Sequence, residues 1–232
     1  MENSPKALIL LSGGLDSLTV LAIAQNKGYS CHALSFDYGQ RHLAELNAAK
    51  KIAQHYQIPQ EIFAFPLNQF GASSLTDCHL KVPTDGDFNF EKNGIPNTYV
   101  PARNTVFLAV ALACAEAQKI PNIFIGINAV DFSGYPDCRP VFLEAFQNLA
   151  NVATDFPIQI HAPLLNFSKA QIIQTGTRLG VDYALSVSCY QADKDGFACG
   201  VCDSCRLRRQ GFVDANIADP TPYQKPAQQR IF

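Results

Sequence analysis

Apolar positions in this chain fall into short blocks of two kinds, and the two kinds alternate. Residues 7–11 form a continuous apolar run of strand length. The run breaks at Ser12-Gly13-Gly14 into an amphipathic stretch, 17–26, that carries Leu18, Leu21 and Ala22 inward and closes at Gly28. Residues 30–36 alternate well enough for a second strand, 43–57 read as an alanine-rich helix, and 61–65 as a third strand. Further on, 105–119 are apolar almost all round and predict a buried helix. Residues 122–127 predict a fourth strand, 141–153 a helix and 158–162 a fifth strand. Ser168 stands where it would cap a helix over 169–179 that ends at Gly180. Such alternation predicts an α/β fold, a doubly wound and mostly parallel sheet with right-handed crossovers. Two polar clusters, 37–42 and 128–140, follow predicted strands, and parallel sheets bind ligands at their carboxyl edge.

Between 66 and 101 no periodicity survives. The stretch holds Asp77, His79, Asp85, Asp87 and Asn93 among prolines and glycines, and reads either as a lid facing the substrate or as an insertion without a role.

The break at 12–17 carries the first chemistry. Glycines allow the backbone to approach a bulky anion, and the helix that follows aims free N–H groups and its positive end at it. Ser12 and Ser17 add hydroxyls. Asp16 would repel a bare phosphate, so it either meets a metal ion or positions the turn. No lysine follows the glycines as in G-x-x-x-x-G-K-[ST], and G-x-G-x-x-G is absent. The stretch resembles S-G-G-x-D-S, the signature of the PP-loop ATP pyrophosphatases, which implies cleavage of ATP between its α- and β-phosphates and transfer of AMP to a substrate.

Composition narrows the classes. At 232 residues and 47% hydrophobic content the chain can bury a sizeable core, and a net charge of −2 offers no general attraction to nucleic acid or anionic membrane. The first apolar run lacks the length and flanks of a signal peptide, and no stretch would span a bilayer as a helix, so a cytoplasmic protein is expected.

Four of the eight cysteines, Cys189, Cys199, Cys202 and Cys205, have the spacing C-x9-C-x2-C-x2-C, with Gly196 and Gly200 between them. Four thiolates would close a tetrahedral site around one structural zinc ion and leave no position for a reacting water. An iron–sulfur cluster or a redox pair are the rival uses of the same residues. Cys31 and Cys114 read as core residues. Arg206, Arg208 and Arg209 follow at once; they suit an RNA-binding helix or, equally, a solvated helix face. The expected organisation is an ATP-binding unit over 1–185 with a small zinc-binding segment over 186–232 packed on it.

Together, the S-G-G-x-D-S turn, Phe36-Asp37-Tyr38-Gly39-Gln40, Tyr99-Val100-Pro101-Ala102-Arg103-Asn104, Gly134-Tyr135-Pro136-Asp137-Cys138-Arg139-Pro140 and Ser188-Cys189-Tyr190 resemble the 7-cyano-7-deazaguanine synthase family of queuosine biosynthesis. Many members carry Trp where Val187 stands. The resemblance covers about 7–223 and implies an adenine-nucleotide-binding α/β fold, a nitrile-forming C–N ligase, ATP with Mg2+, a structural Zn2+, and a homodimer with no nucleic-acid or membrane partner. It implies 7-carboxy-7-deazaguanine and ammonia as substrates. Glu2 stands where a processed cysteine nucleophile of a glutaminase would begin, so free ammonia is the expected nitrogen source.

On this resemblance Leu11, Ser12, Gly13, Gly14, Leu15, Asp16 and Ser17 are expected to bind the nucleotide. Asp16, Arg103 and Lys169 are the expected catalytic residues. For Arg103 a helix-start salt bridge fits the sequence equally well, and for Lys169 a solvent-exposed position is the commoner outcome. Asp131, Tyr135 and Asp137 are expected to hold the deazaguanine base. Either acid could instead cap a turn or a helix, and Tyr135 could simply pack.

Overall fold

The computed structural model describes residues 4–84, 95–130 and 135–224. Five parallel strands, β1 (Lys6–Leu10), β2 (Ser30–Asp37), β3 (Gln60–Ala64), β4 (Asn122–Phe124) and β5 (Gln159–His161), form one sheet in the order β3-β2-β1-β4-β5. Ala7 pairs with Cys31, Ile9 with Ala33 and with Phe124. The order reverses between β1 and β4, which creates the crevice where doubly wound sheets bind ligands.

Among the described residues six α-helices connect and cover the strands: α1 (Leu15–Asn26), α2 (Ala44–His55), α3 (Arg103–Gln118), α4 (Pro140–Ala153), α5 (Lys169–Arg178) and α6 (Asp203–Ala215). Alternate strand positions feed two cores. Ala7, Ile9, Leu11 and Ala33 pack with α1, α2, α5 and α6, whereas Leu8, Leu10, Leu34 and Ile123 pack with α3 and α4. Both faces of β1 are therefore dry, as its unbroken apolar run requires.

Three expectations shift. The first helix begins at Leu15 rather than near Ser17, so Asp16 and Ser17 lie in its first turn. The third, α3, buries Leu108, Ala111, Leu112 and Ala115 but leaves Thr105, Ala109 and Ala113 exposed. Small side chains make its outer face look apolar without needing cover. The described part of 66–101 is packed rather than lid-like: Leu67, Leu75 and Val100 join the core under α3, and Ser73 and Ser74 are wholly buried. Asp77 and His79 sit near the surface, the Asp77 carboxylate accepting the His79 N–H at 2.8 Å. Asp85, Asp87 and Asn93 lie outside the described residues.

The described residues after 186 pack on the sheet unit. Phe212 and Ala215 of α6 belong to the same core as α1 and α5, and a Cβ on Gly211 would collide with the Lys169 side chain. The arginine run is not a solvated face throughout: Arg208 is 2% exposed, the largest fully buried side chain among the described residues. It donates to Ser186 Oγ at 2.8 Å and the Tyr183 carbonyl at 3.0 Å, and pairs with Asp219 at 3.3 Å.

Candidate active site and cysteine cluster

The turn after β1 is built from its own hydroxyls. The Gly14 N–H donates to Ser12 Oγ at 3.3 Å, Ser17 Oγ donates to the Gly14 carbonyl at 3.0 Å, and the two hydroxyl oxygens lie 3.1 Å apart. Gly13 has φ of 91°, and a Cβ there would collide with the Glu45 carbonyl and lie 2.7 Å from the Ala49 nitrogen. Its glycine character thus serves packing on α2. A Cβ on Gly126, after β4, would lie 3.2 Å from the Ser17 nitrogen, so this glycine lets the β4 end pass close to the head of α1.

A cavity of about 220 Å³ opens there, between the ends of β1, β2 and β4. Leu11, Ser12, Gly14, Leu15, Asp16 and Ser17 line one wall. Arg103, Asn104, Tyr135 and Cys138 supply the opposite side, and Tyr38, Gln40, Glu45 and Tyr190 close it. Of the expected catalytic residues, Asp16 and Arg103 line the cavity. Lys169, in the first turn of α5, reaches Asp16 with Nζ at 2.8 and 3.0 Å from the carboxylate oxygens. The pair is 12% and 19% exposed, so Lys169 is not a solvent lysine.

Arg103 is the first residue of α3, its guanidinium 5.8 Å from the ring centres of Tyr38 and Phe107. Nearby Tyr38, Tyr135 and Asp137 outweigh the cost of burial and hold it firmly protonated. Tyr135 bonds Thr98 Oγ1 at 2.7 Å through its hydroxyl and packs 5.5 Å from Tyr99. Asp137 takes the capping alternative. Its carboxylate accepts the Asn104 N–H at 2.9 Å, at the start of α3, and the Asn104 side chain returns a bond to the Asp137 carbonyl at 3.2 Å. Asp131 lies outside the described residues.

Glu45 is a wall residue that sequence reading passed over, although it follows the 37–42 cluster by one helical turn. Burial pushes its carboxyl up to about 7, with Arg103 opposing. Burial likewise pushes the Cys138 thiol up to about 12, which makes it a poor nucleophile.

The four late cysteines converge. Their sulfurs lie within 4.8 Å of one another, with Cys199–Cys205 at 3.9 Å and Cys189–Cys202 at 4.0 Å. A tetrahedron of sulfurs about 2.3 Å from a zinc ion has edges of about 3.8 Å. Backbone N–H groups of Cys199 and Gln191 point at Cys189 Sγ, at 3.2 and 3.3 Å, which suits thiolates sharing a cation. Cys31 is buried apart from the cluster and Cys114 is half-buried.

A parallel sheet in this order, with a hydroxyl- and glycine-built turn at its switch point, is a doubly wound α/β fold laid out as in nucleotide-binding proteins. A 4-thiouridine synthetase solved with RNA and bound ATP shares the fold, with a TM-score of 0.51 and 17% identity over 94% of this chain and 47% of that one. The family model described as "Queuosine biosynthesis protein QueC" matches residues 6–216. The 7-cyano-7-deazaguanine synthase of Methylococcus capsulatus (strain ATCC 33009 / NCIMB 11132 / Bath) is 58% identical over 94% of this chain and 98% of its own length. That of Stutzerimonas stutzeri (strain A1501) is 56% identical over 95% and 99%. The chain belongs to the QueC family of queuosine biosynthesis enzymes. Among the described residues no helix is long and apolar enough to cross a membrane.

Proposed function

We propose that the protein makes 7-cyano-7-deazaguanine from 7-carboxy-7-deazaguanine, free ammonia and ATP in two dehydrations at one site. A carboxylate oxygen is a poor leaving group. Attack of that oxygen on the α-phosphorus of ATP expels pyrophosphate and gives an acyl adenylate. Ammonia adds to its carbonyl carbon, AMP departs with the oxygen, and a proton is lost to leave the amide. The amide oxygen repeats the attack on a second ATP, and loss of AMP and of both remaining N–H protons leaves the nitrile.

The supporting observation is that the Ser12–Ser17 turn, Arg103 and Tyr135 line one cavity at the sheet's switch point. In this reading the hydroxyls of Ser12 and Ser17 and the head of α1 receive the phosphates. Arg103 steadies the charge that develops at the α-phosphorus. Tyr135 offers a ring to the base. Asp137 acts through the helix start it caps, and so positions Arg103 beside it. Asp131, if it reaches the base, would accept its amino and ring N–H protons.

Asp16 is the carboxylate that would hold Mg2+, with Lys169 fixing its orientation; the ion would neutralise charge on the pyrophosphate leaving group. The four cysteines would hold one structural Zn2+ per subunit. Val141, Leu149 and Val152 on α4, 66%, 49% and 85% exposed, would serve the homodimer implied by the family resemblance.

The test of this reading is an assay of purified protein with ATP, Mg2+, ammonium chloride and the carboxylate. Nitrile is expected without glutamine, and strict glutamine dependence would overturn the nitrogen source.

A further inference from the structure

Both halves of the proposed reaction release a proton from nitrogen, and the residues assigned so far leave that proton without an acceptor. Among the described residues two carboxylates line the cavity, Asp16 and Glu45. Asp16 is held by both oxygens to Lys169 Nζ, at 2.8 and 3.0 Å. Glu45 is half-buried on the cavity wall, and no described residue donates a hydrogen bond to its carboxylate. Its place is fixed by backbone. It sits in the first turn of α2, and its carbonyl presses on Gly13 so closely that a Cβ on that glycine would collide with it. The carboxylate is thus carried on a rigid helix locked to the phosphate-binding turn.

From this geometry we infer that Glu45 is the general base of the nitrogen-transfer steps, accepting the N–H proton as AMP leaves, first from the ammonia adduct and then from the activated amide. The assignment rests on the proposed function. In the first step the Glu45 oxygen takes a proton from the adduct's nitrogen, the alkoxide pair re-forms the carbonyl, and the carbon–oxygen bond to AMP breaks with its pair leaving on AMP. In the second the adenylated amide loses one N–H proton to water, Glu45 takes the other, and that N–H pair forms the last carbon–nitrogen bond as AMP leaves with the carbon–oxygen pair. A neutral Glu45 then returns the proton to water. No oxidant or further reactant is needed.

The surroundings suit this task. Arg103 faces the carboxylate from α3 and Tyr38 from the end of β2; Arg41, His42, Asp16 and Tyr190 line the same cavity. Burial raises the carboxyl to about 7, near the working pH, where a base is both ionised and basic enough to act. His42 also lines this wall, but burial pulls its imidazole below the usual histidine range, which leaves it the weaker base.

The test is Glu45→Gln, which keeps shape and removes the proton acceptor. Pyrophosphate release and amide or nitrile formation are measured separately in single turnovers, with wild-type protein alongside and ammonia expressed as free NH3. Pyrophosphate release within about threefold of wild type, with nitrogen transfer down about 100-fold or more, is the expected result. Equal loss of both steps, or loss of neither, overturns the role. Should Glu45→Gln fail to fold, the wild-type pH profile decides. Nitrogen transfer should rise to a plateau through an inflection near pH 7 while adenylation does not follow it; a flat nitrogen-transfer profile overturns the role. If wild-type protein makes no nitrile at all, the proposed function fails instead.

Discussion

The backbone N–H of Leu15, in the glycine turn after β1, donates at 3.0 Å to the hydroxyl of Ser188, which is 173 residues away and adjacent to the first clustered cysteine. A second bond, from the Val187 N–H to the Gly13 carbonyl at 3.0 Å, runs beside it. The cysteine segment therefore buttresses the turn directly. Removing the metal should weaken nucleotide binding as well as stability. Chelation is expected to raise the Kd for ATP at least tenfold and lower the melting temperature, both reversed by Zn2+. Ser188→Ala should raise the Kd about three- to tenfold at unchanged zinc content, the worth of one hydrogen bond. Titration calorimetry with metal analysis reads both.

Arg208 ties the same segment to the sheet unit, and Asp219 is its ionic partner at 3.3 Å. Removing one member of a buried pair strands the other, so Arg208→Ala should destabilise by about 3–5 kcal/mol. Burial works to raise the Asp219 carboxyl, but the Thr221 and Tyr223 hydroxyls and Arg208 hold it below its usual value. A depressed carboxyl stabilises the fold above its unfolded pKa, about 3.9, and loses that contribution as pH falls through the lower folded value. Denaturant unfolding of wild type and Asp219→Asn should differ at pH 7, and the difference should shrink as pH falls below the ordinary carboxylate range.

Gly13→Ala tests why that glycine is present. With a φ of 91° and the Glu45 carbonyl where the methyl would go, alanine should force α2 away from the turn. A loss of about 2 kcal/mol or more is expected, together with loss of ATP binding. Wild-type stability with ATP binding lost would mean that the glycine serves only the ligand, and wild-type levels of both would overturn the packing role.

Asp137→Asn keeps an acceptor for the Asn104 N–H, whereas Asp137→Ala does not. As a helix cap, Asp137 predicts a small effect for asparagine and a loss of about 0.5–2 kcal/mol for alanine. A residue that read the base would instead show a raised KM for the carboxylate substrate in both variants at unchanged stability.

The strands, the glycine turn after β1 and the convergence of the cysteine array were legible because each is written locally. An apolar run, a six-residue motif and a C-x2-C-x2-C array need no knowledge of distant contacts. What stayed hidden depends on partners far along the chain. Nothing near Arg208 announces that Tyr183, Ser186 and Asp219 will enclose it. Asp137 and Asn104 meet only because the loop after β4 returns to the head of α3. Glu45 looks like an ordinary first-turn acid until Gly13 is seen to seat its helix against the turn. The outer face of α3 misled for the opposite reason: alanines are cheap to expose, so an apolar pattern there did not require burial.

The central claim is that one site makes an oxygen into a leaving group twice. The direct test supplies 7-carboxy-7-deazaguanine with both carboxylate oxygens labelled with 18O and follows the label by mass spectrometry. Two AMP molecules per nitrile, each carrying one 18O on phosphorus, is the predicted result. Label appearing in inorganic phosphate or water, or a single labelled AMP per nitrile, would contradict it.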